Sequence, residues 1–120
     1  MRLRAVRGAT SVPRDRPDDI ISATVMLLEE MMARNGVTKD QLVSILFTST
    51  ADLRSEFPAA AARRIGISDI PLLCAAEIDV PGAIGRCVRI LMHLYTDLDY
   101  ATLRHVYLGE ARQLRTDLPE

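Results

Sequence analysis

The sequence is poor in the features that announce common chemistries. Its two cysteines, Cys74 and Cys87, stand thirteen residues apart, outside any CxxC pair and with no histidine at ligand spacing. That argues against a structural zinc site and predicts reduced thiols packed in a core. Lysine is nearly absent: Lys39 is the only one among fifteen basic residues, and the others are arginine. Arginine must therefore be judged by position, since its abundance carries no signal. The net charge of −1 speaks against a nucleic-acid-binding domain, which is usually basic. Apolar runs such as IPLLCAA at 70–76 are far too short to span a bilayer. The N-terminus has no long apolar h-region, so no signal peptide is expected and the cytoplasm is the default setting. No serine sits in a G-x-S-x-G elbow, and no glycine run has the phosphate- or dinucleotide-binding pattern. His93 and His105 have no partner at triad or metal spacing, so neither is assigned a role.

What is present fits one ordinary globular domain over 1–120, with 48% apolar and 26% charged residues. A chain of this length buries only roughly two-thirds of its unfolded surface, which leaves room for an oligomer. RLRAVRGATSV at 2–12 predicts a strand. RDRPDDIISATVMLLEEMMARNG at 14–36 predicts a helix, with Asp15 as cap, Pro17 in the first turn, and Asp18 and Asp19 at the positive end of the dipole. Its apolar stripe is Ile21, Val25, Leu28 and Met32, widened by Thr24, Leu27 and Met31, and it stops at Gly36. TKDQ at 38–41 matches a capping box. Then follow a buried strand at 41–50, an alanine-rich helix at 55–66, a strand at 69–80, a glycine-punctuated link at 81–85, a strand at 86–97 and, after one helical turn, a strand at 104–112. Periodicity leaves 86–97 open between helix and strand; the glycines before it and its Val, Ile and Tyr favour a strand. The order β-α-β-α-β-β-β predicts an α+β domain, a mixed β-sheet with helices packed on one side. The terminal TDLPE is expected to fray or to form a lid.

Four polar residues sit uneasily in these strands: Arg7, Glu77, Arg89 and Tyr107. Arg7 shares a face with Leu3, Ala5 and Ala9 by period-2 alternation. Arg89 shares one with Cys87 and Leu91, while Val88 and Ile90 make the opposite face apolar too. A charge left unpaired there costs roughly 3–5 kcal/mol. Two readings meet this demand. One is an internal ion pair between Arg89 and Glu77; the other is a cleft in which several arginines face a multiply anionic ligand, since guanidinium grips carboxylates in a bidentate way. For Arg63 and Arg64 a solvated helix face is the default.

RAVRGATSVPRD, EFPAAAARRIG, PLLCAAEIDVPG, RCVRILMHLYTD and RHVYLGEARQLRTDL together resemble the monofunctional chorismate mutases of the trimeric α/β class, which are distinct from the all-helical mutases. The resemblance covers essentially the whole chain in matching order. It implies an isomerase that rearranges chorismate to prephenate on the way to phenylalanine and tyrosine, without metal or other cofactor. It also implies a homotrimer resembling an α/β-barrel, with active sites between neighbouring subunits. Carried over by residue, it makes Arg7 the holder of a substrate carboxylate and Glu77, of the C-x-x-E motif, the acceptor of the ring hydroxyl. Arg89 becomes the donor to the ether oxygen and Tyr107 a further carboxylate contact. Leu73 and Cys74 line the pocket, and Phe57 and Arg63 stand at its mouth. Ala60 departs from the lysine that family members can carry near the entrance, and Leu73 and Ala75 make this wall more apolar.

Such a rearrangement breaks a C–O bond as a C–C bond forms, so the missing nucleophile and base are no obstacle. The enzyme must hold a compact conformer and stabilise charge building on the ether oxygen. Strict alternation places Cys74 and Glu77 on opposite faces, which requires either a bulge or a trimer in which each faces a different inter-subunit cleft. Two rival readings use the same arginines: a non-catalytic trimeric protein that binds a small dicarboxylate, and an enamine or imine deaminase, although the latter leaves the Glu77, Arg89 and Tyr107 set unexplained.

Overall fold

The computed structural model describes residues 1–114; the TDLPE tail lies outside the described residues. Strand β1 (Arg2–Ser11) leads into helix α1 (Pro17–Arg34), a short 3-10 turn (Lys39–Gln41), strand β2 (Leu42–Ser49), helix α2 (Ala59–Arg64) and strand β3 (Leu72–Ala76). Strands β4 (Cys87–Thr96) and β5 (Val106–Leu108) follow, and a 3-10 helix (Gly109–Gln113) ends the described chain. The strands form one mixed sheet in the order β3-β2-β4-β1-β5. β4 is antiparallel to both β1 and β2, whereas β5 runs parallel to β1 and β3 parallel to β2. The expected element order holds, and segment 86–97 is a strand.

Several boundaries differ, each for a local reason. The strand expected over 69–80 is confined to Leu72–Ala76, because Pro71 has no N–H to offer a ladder and the 81–85 link pulls the chain away beyond Glu77. The strand expected over 104–112 keeps only Val106–Leu108, because Gly109 takes a φ of 59° and turns the chain into the 3-10 helix. Helix α2 is shorter than 55–66 and begins after Pro58. Asp15 does not cap α1. The N-cap is Arg16, which makes no side-chain capping bond, while the Asp15 carboxylate accepts from the N–H groups of Arg54 and Ser55 at 2.9 and 3.0 Å and from the Ser55 hydroxyl at 2.8 Å. The Ser55 hydroxyl, with the Arg54 N–H, holds the Asp15 carboxyl below its ordinary range. Asp15 thus ties the 54–55 loop to the start of α1. The capping box at 38–41 is present, with Gln41 Oε1 accepting from the Thr38 N–H at 2.8 Å.

Both helices pack on one face of the sheet. Val6 of β1, Ile45 and Phe47 of β2, and Ile90, Met92 and Leu94 of β4 meet Leu27, Leu28 and Met31 of α1 and the alanines of α2 in one core. Burying each large side chain contributes about 1.5–3 kcal/mol. The buried residues of α1 are Ile20, Ile21, Thr24, Leu27, Leu28 and Met31, so five of the seven expected stripe residues are buried, Val25 and Met32 stand at the margin, and the stripe extends to Ile20. The helix sits close on β1 at Gly8, where an added Cβ would stand 2.4 Å from Met31 Sδ and 3.1 Å from Leu27 Cδ1. Without a side chain at Gly8, Met31 settles directly onto β1. Gly8→Ala is expected to cost about 1–3 kcal/mol by overpacking, read as a fall of several degrees in Tm at fixed protein concentration; an unchanged Tm would mean that Met31 swings aside freely.

The opposite face carries Leu3, Ala5, Arg7, Leu46, Thr48, Leu73, Arg89, Leu91, His93 and Tyr95, and no helix covers most of it. Leu3, Leu73 and Tyr95 are exposed there. Only at the β1–β5 edge does the 3-10 helix reach over, closing a small cluster of Ala9, Cys87, Tyr107 and Ala111. Among the described residues no helix is long and apolar enough to cross a membrane.

Candidate active site

The pairing register gathers the misfit polar residues on the open face. Arg7 lies opposite Leu91, Ala9 opposite Arg89 on β4 and Tyr107 on β5, and Thr48 opposite Arg89. Arg7, Thr48, Arg89 and Tyr107, with Leu46 and Leu91, line a cleft of about 330 Å³. Glu77, just beyond the end of β3, extends the ladder with its N–H to the Ser49 carbonyl at 3.0 Å and lines an adjoining cleft of about 480 Å³ that Arg89 also borders.

The internal ion pair is present: Arg89 Nε stands 3.2 Å from Glu77 Oε1, with the Glu77 side chain 14% exposed and that of Arg89 48% exposed. The second oxygen, Oε2, accepts from the Thr48 hydroxyl at 2.9 Å. The sequence suggested that both faces around Arg89 are at least partly buried. The Val88 and Ile90 face is fully buried, and on the other face Cys87 is buried and Leu91 partly so, while Arg89 itself stays exposed in the single chain. Nε is the nitrogen that faces the carboxylate, and the guanidinium also lies beside the Cys87 thiol.

Arg7 is half-buried, and its guanidinium has no carboxylate partner among the described residues. Its backbone N–H donates to His105 Nδ1 at 2.9 Å, which holds β1 to the segment entering β5. Tyr107 is 4% exposed, yet its hydroxyl has no protein partner there, and no buried side-chain polar atom among the described residues lacks one. The ring is therefore buried and the hydroxyl opens to the cleft. Two guanidinium groups, one carboxylate and a phenol thus give a site with net positive charge, shaped for an anion with a further acceptor near Arg89.

Other expected site residues stand elsewhere. β3 pairs with β2 without a bulge, so Cys74 is in register with Phe47 on the helix side, while Glu77 reaches Thr48 on the open side. Cys74 and Phe57 line a different cleft, also of about 330 Å³, between β3 and the 53–58 loop. Phe57 is 67% exposed. Leu73 lies exposed on the open face and Arg63 on the solvent side of α2; neither lines a cleft with the Arg89 cluster. Within one chain the expected residues therefore form two groups, with Leu73 and Arg63 in neither.

Among the described residues no three His, Cys, Asp or Glu side chains gather as metal ligands. Burial, with the Glu77 charge nearby, pushes the Cys87 thiol up to about 11, so it is not a ready nucleophile. Two neighbours were missed from sequence. Thr48 joins the Glu77–Arg89 pair, and Ser44 Oγ lies 3.3 Å from His93 Nδ1. Both depend on cross-strand register, which leaves no local signal in the chain.

The description "Chorismate mutase type I" matches residues 3–118. The chain is 46% identical over 117 residues to the chorismate mutase AroH of Thermus thermophilus, covering 97% of this chain and 96% of that protein. It is 39% identical over 119 residues to the chorismate mutase AroH of Bacillus subtilis, covering 98% and 94% respectively. The solved structure of a chorismate mutase from Clostridium thermocellum superimposes with a TM-score of 0.90 at 45% identity, over 92% of this chain and 98% of that one. The mixed sheet with helices on one face is the fold of that structure, and with a match that runs through every element described above, the chain belongs to the type I chorismate mutase family.

Proposed function

We propose that this chain rearranges chorismate to prephenate, in a cleft that a second subunit of a homotrimer completes. The observation that carries the reading is the arrangement around Arg89: a guanidinium facing a carboxylate through Nε, beside an Arg7 with no carboxylate partner among the described residues and an open Tyr107 hydroxyl, in a chain of this family. Chorismate is a dianion with an ether oxygen between its two halves. In this reading Arg7 and Tyr107 hold carboxylate and so select the compact conformer. The terminal nitrogens of Arg89 donate to the ether oxygen, where negative charge grows as the C–O bond breaks. Glu77 fixes Arg89 and accepts from the ring hydroxyl. No proton is removed and no covalent intermediate forms, so turnover needs no nucleophile and no cofactor.

The uncovered sheet face supports the assembly. Leu3, Leu73 and Tyr95 are exposed beside Leu46 and Leu91, an apolar surface of the kind that oligomers bury. The separation of Phe57 and Cys74 from the Arg89 cluster has the same explanation: each group borders a different subunit boundary, and the cleft of Arg7, Glu77, Arg89 and Tyr107 is closed by Phe57, Leu73, Cys74 and Arg63 of a neighbour. The reading treats residues 1–120 as one domain, working in the cytoplasm. Purified protein added to chorismate is expected to remove its ultraviolet absorbance far above the spontaneous rate, with prephenate as product and a trimer by sedimentation. A folded protein that leaves chorismate at the spontaneous rate would discard the enzyme reading.

A further inference from the structure

We infer that Thr48 is a positioning residue for this reaction, acting through Glu77 on Arg89; the inference rests on the function proposed above. The Thr48 hydroxyl donates to Glu77 Oε2 at 2.9 Å, while Oε1 of the same carboxylate faces Arg89 Nε at 3.2 Å. A carboxylate on a two-carbon arm can turn about its terminal bond, and its torsional preference there is broad. With Oε2 tied to a strand hydroxyl, that rotation stops and Oε1 stays against Nε. The guanidinium is planar, so fixing the Nε edge fixes where the terminal nitrogens stand. Thr48 is itself rigid: its χ1 is restricted by β-branching, and its backbone is locked in β2, in register with Arg89 on β4. Strand β2 thereby controls the aim of a cation on β4 through a carboxylate that follows β3. Preorganisation of this kind matters most where charge develops only in the transition state.

The test compares Thr48→Val, which keeps the shape and β-branch but loses the donor, with Thr48→Ser, which keeps the donor and loses a methyl. Loss of a hydrogen bond to a charged group predicts a fall in kcat of about tenfold or more for Thr48→Val, with KM changed by less than about threefold because Arg7 and Tyr107 are untouched. Thr48→Ser is expected to return kcat to within about threefold of the parent. The Arg89 Nε–H resonance, assigned by its loss in Arg89→Lys, is expected to move in Thr48→Val and to return in Thr48→Ser. A merely structural role would lower Tm in both variants and leave that resonance in place. The inference is overturned by Thr48→Val with parental kcat, by equal losses in Val and Ser, or by an unmoved Nε–H signal. If the parent protein fails to convert chorismate, the function proposed above falls, and the Arg89 resonance still decides whether Thr48 holds the pair.

Discussion

Arg89→Ala is expected to lower kcat for chorismate by about 10²–10³, equivalent to roughly 3–4 kcal/mol of transition-state stabilisation. The size follows from where the charge is. Arg89 stands at a strand position fixed by two neighbours, in a cleft that a second subunit would close, and its cation needs no rearrangement when the ether oxygen becomes negative. KM should change much less than kcat, because the carboxylate contacts assigned to Arg7 and Tyr107 remain. Arg89→Lys is expected to fail nearly as badly. An ammonium is a point charge, and it cannot keep the Glu77 contact through one edge while presenting two further nitrogens to a ligand. Steady-state kinetics on both variants, with sedimentation to show that the assembly survives, checks the claim. A loss of less than about tenfold in Arg89→Ala would remove Arg89 from the centre of the reaction. A large rise in KM with kcat preserved would recast it as a uniform binding contact and favour a dicarboxylate-binding role for the cleft.

Mixed trimers should recover activity from two inactive parents. Arg89→Ala removes the donor on the open face. Phe57→Asp sets a carboxylate at the mouth of the other cleft, where it repels a dianion; Phe57 is 67% exposed, so the change leaves the core alone. Each variant by itself is expected to lose most turnover. When the two are unfolded and refolded together in equal amounts, a cleft shared between neighbours takes each residue from a different chain, and about a quarter of the clefts then combine both intact residues. Activity of about a quarter of the parental value is therefore expected from the mixture, and almost none from either parent. Had Phe57 and Arg89 served one cleft from the same chain, no mixing would repair it, and the mixture would stay as inactive as its parents.

Much of the fold was legible because its signals are local. The alternation of Leu3, Ala5, Arg7 and Ala9, the acidic start and glycine stop of α1, and the β-branched run at 86–97 each follow from chain geometry over a few residues. The same locality made Arg7, Glu77, Arg89 and Tyr107 visible as polar residues in strands, and it named the Arg89–Glu77 pair. The expected Asp15 cap was wrong for a reason outside that range. Residues 54 and 55 present three donors to its carboxylate, and that loop lies about forty residues along the chain.

The sequence by itself determined the element order and the four polar side chains that a plain core could not absorb. Tertiary structure alone decided the close seat of Met31 on β1 at Gly8, and the separation of Cys74 and Phe57 from the Arg89 cluster, through a β3 that pairs without a bulge. It alone placed Thr48 on Glu77, twenty-nine residues away. Periodicity tells which face of a strand a side chain occupies, but not which residue of the neighbouring strand lies opposite. That register is set by how whole strands pair and how the helices pack on them, and at this site it selects which groups reach Arg89.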